Sequence, residues 1–249
     1  MKVSIITAVY NSEKTIDTCM NSVLNQTYPN IEYIIVDGGS NAETLSKLNA
    51  AAEKFPHIKL SSESDNGIYD ALNKGIAKAT GEIIGFVHSD DFLAEATIIA
   101  SIVEAFETKE VDGVYGDLHY VALENTDKII RNWVSQPFSY KLLKDGWMPA
   151  HPTLYLKKSL YDDYGMFDVN FKIAADYDFI LRIFKQTNLN FFYLPKTIVK
   201  MRVGGASNRS LKNIFQKSKE DYRAIKANQT GNWWTILLKN VSKIKQFGA

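Results

Sequence analysis

Two aspartates stand side by side at Asp90 and Asp91, closing the run "GEIIGFVHSDD" over residues 81–91. Adjacent carboxylates repel, and each costs free energy to hold away from water. Such a pair belongs in a solvated turn that caps the next helix, or beside a cation. Hard oxygen ligands suit Mg²⁺ or Mn²⁺, which bind through one or two carboxylates and leave room for substrate phosphates. A cation there would offset the repulsion and neutralise a diphosphate leaving group. His88, in the same cluster, reads more readily as a packed side chain than as a ligand.

Other polar residues recur at similar places. "IIVDGGS" puts Asp37 before two glycines and a serine. The glycines let backbone approach a ligand, and the carboxylate can accept hydrogen bonds from a base or ribose. The alternative is a tight turn with a solvated aspartate. The spacing is not G-x-G-x-x-G, so a dinucleotide site has no support. "ESDNGIYDALNKGI" places Asp65 and Asn66 before a helix, with Asp70, Asn73 and Lys74 sharing one face along it. That face meets a ligand or carries a surface Asp70–Lys74 pair, and Asn73 weakens the helix for no visible packing reason.

"AADYDFILR" sets Asp176 at a helix start, where the dipole favours the anion. Beside an anionic substrate it is a candidate general base; otherwise it is a structural aspartate. Asp178 and Arg182, one turn apart, read as a structural pair. His151 lies between prolines in "MPAHP", as a substrate contact or a buried loop histidine. Arg202 and Arg209 flank a glycine-rich loop in "MRVGGASNRS", which closes over phosphates or is simply mobile.

These residues need elements to place them. "KVSIITAVY", "IEYIIVD", "HIKLSSE" and "EIIGFVHSDD" read as strands. Between them lie three helical patterns, the first with Ile16, Met20, Val23 and Leu24 on one face and Ser12 as a plausible N-cap. Strand and helix alternating in this way predict a parallel α/β sheet. In such sheets the carboxyl ends of the strands form the ligand crevice, and all three polar clusters fall there. After Val111 the pattern predicts longer, partly antiparallel strands, a helix over 174–186, and a final strand pair in "LNFFYLP" and "TIVKMRV". "LAEATIIASIVEAF" is expected as the helix after Asp91. The chain from Ser207 reads as two helices parting near Gly231.

Composition bounds the rest. With 249 residues, 45% hydrophobic and 23% charged, the chain can bury a substantial core. Cys19 is the only cysteine, which excludes an internal disulfide and a thiolate metal cluster. No apolar run approaches the roughly 20 residues that span a bilayer, and no secretory leader is visible. A cytoplasmic location is therefore expected, with possible attachment to the inner face of the cell membrane. From Ala206 onward nine basic residues face two acidic ones, a balance of +7 that leaves about −6 for the remainder.

The strings "SIITAVYNSEKTI", "VDGGS", "DNGIYDALNKGI", "GEIIGFVHSDD" and "AADYDFILR", in this order, resemble the inverting family-2 glycosyltransferases of GT-A fold. The resemblance covers roughly residues 1–205 and is nearest to enzymes of bacterial surface-polysaccharide synthesis. It implies an α/β GT-A fold, with a mostly parallel central sheet flanked by helices and with C-terminal helices. Residues 1–91 would form the nucleotide-binding half, 92–205 the acceptor half, and 206–249 a basic amphipathic tail. It implies that Thr7, Ala8, Tyr10 and Asp37 hold the base of a nucleotide-diphosphate sugar, a UDP-sugar above all. Asp65, Asn73, Lys74, Asp90 and Arg202 would complete the donor site. Asp91 would bind Mn²⁺ or Mg²⁺, and His151 would lie on the acceptor side. Asp176 would deprotonate a hydroxyl of a lipid-linked oligosaccharide or glycan acceptor. Ala175 departs from the glutamate that many relatives carry there.

"NWWTILLKNVSKIKQF" spaces Trp234, Leu237, Leu238, Val241 and Ile244 as one helical face, with lysines elsewhere. Residues 229–249 are thus expected to lie on an anionic membrane, or to pack on the body or on a second subunit of a homodimer. A catalytically silent nucleotide-sugar-binding or partner-activating subunit is the alternative function. A glycoside hydrolase needs its carboxylates about 5–10 Å apart across the bond, which adjacent residues cannot supply. No nucleic-acid-binding module is recognisable.

Overall fold

A computed structural model describes residues 1–204 and 211–242. The first half alternates as β1 (Val3–Val9), α1 (Ile16–Leu24), β2 (Ile31–Asp37), α2 (Ala42–Lys54), β3 (Ile58–Ser62), α3 (Ile68–Lys78) and β4 (Ile83–Phe86). These four strands pair in parallel in the order β3-β2-β1-β4. Their side chains alternate between two apolar layers. Ile6, Ala8, Ile34, Val36 and Phe86 face α3, while Val3, Ile5, Val9, Tyr33 and Ile35 face α1 and α2. Burial on both faces is why these stretches read as continuous β-branched runs.

The second half extends the same sheet: β5 (Phe92–Leu93), α4 (Ile98–Lys109), β6 (Gly113–Val121), β7 (Ile129–Trp133), α5 (Tyr140–Lys144), β8 (Tyr155–Lys157), α6 (Ser159–Tyr164), α7 (Ala175–Phe184) and β9 (Phe191–Arg202). β8 bridges the halves, antiparallel to β4 on one side and to β6 on the other. β9 lies parallel to β6, and β5 closes the edge antiparallel to β9. The sheet is therefore mixed: a parallel block β3-β2-β1-β4 and a parallel pair β6-β9 are joined through the antiparallel β8.

Three local expectations are corrected. The expected final strand pair is one strand, β9, running through Pro195. Along it Tyr193 pairs with Tyr115 and Thr197 with Asp117, so extra residues bulge out around the proline, which has no N–H to pair. α4 begins at Ile98, because Phe92 and Leu93 are drawn into the sheet by Lys200 and Val199. The N-cap of α1 is Thr15 rather than Ser12, with no side-chain cap bond; the Ser12 carbonyl accepts from Thr15 and Ile16 N–H, and its hydroxyl meets Ser89 Oγ at 2.8 Å.

The tail forms α8 (Leu211–Asn228) and α9 (Trp233–Ser242). α8 packs on α7 with Ala224 and Ile225 in the core. Glu220 of α8 accepts from the backbone N–H of Lys172, Ile173 and Ala174 at 3.2, 2.8 and 3.0 Å. α7 has no side-chain cap of its own, so α8 supplies the acceptor for the turn that leads into it. Burial alone would raise the Glu220 carboxyl. Hydrogen bonds from Gln216 and this backbone turn hold it below its ordinary value, as an anion. Among the described residues no helix is long and apolar enough to cross a membrane.

Candidate active site

The parallel block places three loops at one edge. β1 and β2 end in register at Val9 and Asp37, and Asp37 pairs with Ser62 of β3. Asp37 is fully buried, which rules out the solvated-turn alternative. Its Oδ2 accepts from Ser62 Oγ at 2.7 Å and from the N–H groups of Gly39 and Ser40, while its buried Oδ1 has no partner. An orphaned buried carboxylate oxygen is costly, and a ligand donor would satisfy it. Asp65 lies against the Asp37 loop: a Cβ on Gly38 would meet Asp65 Oδ2 at 2.2 Å, so glycine lets that carboxylate lie where it does. Asp65 Oδ1 accepts from Gly67 N–H at 2.8 Å and shapes the entry to α3.

The other residues expected on the donor side separate into groups. Tyr10 stands exposed at the end of β1, and Ala8 packs in the core beneath it. The Thr7 hydroxyl is spent on the Val87 carbonyl at 2.7 Å, inside the layer facing α1. Lys74 reaches the Ser64 carbonyl at 3.0 Å and lies 3.7 Å from Asp70 Oδ2. Asn73 spans to the far half of the chain: its amide gives to the Phe167 carbonyl at 2.9 Å and takes from the Phe167 N–H at 3.0 Å. This is the packing reason for an asparagine in mid-helix that the sequence left unexplained.

The two aspartates of "HSDD" point to different environments. Asp91 is fully buried; Oδ1 takes the Arg202 N–H at 3.3 Å and Oδ2 has no partner. Burial, reinforced by the Asp90 carboxylate and opposed by Arg202, pushes Asp91 well above the usual carboxylate range. Asp90 keeps part of its surface in solvent. Arg202 is itself buried, with Nη1 on the Asp90 carbonyl at 2.7 Å and its guanidinium 5.0 Å over Phe92. It latches β9 onto the aspartate loop. Arg209 lies outside the described residues.

Asp176 sits in the first turn of α7, with Oδ1 3.1 Å from Tyr69 Oη. The same hydroxyl donates to the Ile173 carbonyl at 2.7 Å. Burial and the neighbouring Asp176 carboxylate raise the Tyr69 phenol well above its ordinary value, so it remains protonated. Asp178 pairs with Arg182 at 2.6 Å, as expected. His151 occupies a buried 3₁₀ turn, His151–Thr153, with its ring 5.8 Å from His88 and 5.5 Å from Phe167. Burial brings His151 down to about 4, against the pull of Asp176, and lowers His88 as well. Both imidazoles are neutral near pH 7, and His151 Nε2 and His88 Nδ1 are buried without partners. His88 packs its ring against that of His151, in keeping with the packed side chain expected from the sequence. Tyr69 and Glu220 were missed in the sequence; the tyrosine lies within a quoted motif, while nothing local marks the glutamate.

A divalent cation fits what is present. Asp90 offers a partly exposed carboxylate, and the adjacent residue Asp91 a buried oxygen without a partner. Among the described residues no cluster of three His, Cys, Asp or Glu side chains forms a closed cage. That suits an ion sharing its coordination with ligand oxygens.

The glycosyl transferase family 2 model matches residues 4–165. A PGL/p-HBAD biosynthesis glycosyltransferase of Mycobacterium bovis is 30% identical over 217 residues, covering 86% of this chain and 82% of that one. The structure of S. aureus TarS 1–349 in complex with UDP-GlcNAc matches with a TM-score of 0.71 at 20% identity, over 90% of this chain and 66% of that one. This chain spans 40% of a longer TarS structure. The mannosyltransferase PcManGT from Pyrobaculum calidifontis, in complex with GDP-Man and Mn²⁺, matches with a TM-score of 0.63 at 18% identity, over 97% of this chain and 73% of that one. The solved structures share the GT-A fold, and the family match decides membership: this chain belongs to glycosyl transferase family 2.

Proposed function

We propose that the protein is an inverting glycosyltransferase that moves a sugar from a nucleotide-diphosphate donor to a lipid-linked or glycan acceptor. A UDP-sugar is the preferred donor, in keeping with the UDP-GlcNAc complex of TarS. The reaction serves cell-surface polysaccharide or glycolipid synthesis at the cytoplasmic face of the membrane. One observation supports the reading: Asp37 ends β2 and the Asp90–Asp91 pair follows β4 in the parallel block, while Asp176, at the start of α7, is held by Tyr69 at the start of α3.

Asp37 Oδ1 accepts a donor N–H of the base, and Tyr10 covers the base face. Asp90, the accessible carboxylate, would hold the Mn²⁺ or Mg²⁺ ion, with the buried Asp91, the ligand expected from the sequence, next to it in the chain. The ion, when bound, neutralises charge on the departing diphosphate. Asp176 takes the proton from the acceptor hydroxyl as that oxygen attacks the anomeric carbon. The bond to the diphosphate breaks on the opposite face, leaving a nucleoside diphosphate and inverted configuration. Neutral His151 and His88 line the same space without competing for the proton.

Calorimetric titration of a nucleotide-sugar panel, with and without Mn²⁺ or Mg²⁺, tests the reading. Metal-dependent binding of one donor supports it; no binding of any donor removes it. A donor that binds and is never transferred or hydrolysed points to the silent-subunit alternative.

A further inference from the structure

Helix α9 turns its apolar side outward. Trp233, Trp234, Leu237, Leu238 and Val241 leave 55, 54, 46, 44 and 49% of their surface in solvent, whereas Lys239 keeps 3%. The Lys239 ammonium enters the body, 3.0 Å from Asp221 Oδ1 and 3.0 Å above the Tyr177 ring. Gly146, at φ +73°, permits this approach, since a Cβ there would meet the Thr235 carbonyl at 2.4 Å and Lys239 Cβ at 2.7 Å. Helix α9 is thus anchored by its charge and presents its hydrophobes, the reverse of an ordinary surface helix.

The charges around it are sorted by sign. Glu220 and Asp221, the two carboxylates of the tail, are both buried. Among the described side chains of α8, the charged ones that stay exposed are Lys219, Arg223 and Lys226, beside exposed Phe215 and Tyr222. Lys141 and Lys144 are exposed on α5, with the half-buried Asp145 between them and Gly146 as the one nearby carboxylate of that segment. A second copy placed on this face by two-fold symmetry would set lysines against lysines. A protein core has no use for this mixture, but a bilayer with anionic headgroups takes both parts. Acyl chains accept Leu237, Leu238 and Val241, headgroups attract the basic side chains, and the stacked Trp233–Trp234 rings, 3.9 Å apart, suit the boundary.

We propose that the outward face of α9, with the exposed basic residues of α8, docks the protein on an anionic lipid bilayer. This goes beyond the transfer reaction and needs neither donor nor acceptor.

Cosedimentation of the full chain tests it, using phosphatidylcholine vesicles with and without about 30% phosphatidylglycerol. The wild type should bind the anionic vesicles at least about tenfold more tightly than the neutral ones, and lose binding as salt rises. Replacing Trp234, Leu237 and Leu238 together by serine should lower that binding at least about tenfold while circular dichroism stays unchanged. Lys219→Glu with Lys226→Glu should weaken it in the same direction. Equal binding by the serine variant, or none by the wild type, overturns the proposal. So does a wild-type dimer in sedimentation velocity that becomes monomeric in the serine variant, since the face then belongs to a second copy. Donor calorimetry reads the transferase assignment separately.

Discussion

The Tyr69 hydroxyl serves two acceptors with one proton: the Ile173 carbonyl at 2.7 Å and Asp176 Oδ1 at 3.1 Å. While Asp176 is ionised, one of these contacts goes without a full hydrogen bond. Once Asp176 has taken a proton, its own O–H gives to Tyr69 and the tyrosine proton goes to Ile173. All partners are satisfied only after proton transfer, so the pair favours the product of the proposed base step. Tyr69→Phe should lower turnover about 10- to 100-fold, with donor affinity held within about twofold. Asp176→Asn should remove transfer by at least about 100-fold and also spare donor affinity. Nucleoside diphosphate release and calorimetry separate these effects, and retained transfer in Asp176→Asn would move the base elsewhere.

Asp90 and Asp91 should respond differently to the same change. Asp90→Asn should abolish the gain in donor affinity given by Mn²⁺ or Mg²⁺. Asp91→Asn keeps an acceptor for the Arg202 N–H and replaces a carboxyl whose charge is disfavoured by burial, so it should fold normally and lose less of the metal effect. The opposite ranking in calorimetry would return the ion to Asp91.

Glu220 carries a prediction for the start of α7. Glu220→Ala leaves three backbone N–H groups without their acceptor and should cost about 1–3 kcal/mol in urea unfolding. Hydrogen exchange should speed up in the 172–174 amides. Asp221→Asn loosens α9 through Lys239 and should leave those amides protected. Equal exchange in both variants would reduce Glu220 to general packing.

His151 makes stability depend on pH. Its folded imidazole takes a proton only near pH 4, while in the unfolded chain it does so near 6.5. Between these values the unfolded state holds more protons, so stability falls as pH falls. The contribution is complete above about 6.5 and amounts to about 3 kcal/mol lost by pH 4. His151→Gln should flatten this part of the profile in urea unfolding at pH 7 and 4.5, whatever it does to stability at pH 7.

The parallel block was legible because burial on both faces writes itself as continuous apolar runs with polar ends. Those ends also marked the loops after β2 and β4 that carry the candidate residues, and the i,i+4 spacing named the Asp178–Arg182 pair. What could not be read were contacts made across the chain. Tyr69 finds Asp176 over 107 positions and Asn73 finds Phe167 over 94. Which of two adjacent aspartates faces inward depends on where β9 delivers Arg202. Lys239 looked like surface charge because helical spacing says which residues share a face, but not which face the body covers.

The clamp on Ala174 comes from a residue 46 positions later in the chain. During synthesis the strands that build the donor pocket leave the ribosome first and can fold as they emerge. The loop bearing Asp176 then waits, capless, until α8 follows. The nascent chain thus completes the strands that end in Asp37 and lead to Asp90 well before it can fix the loop that carries Asp176.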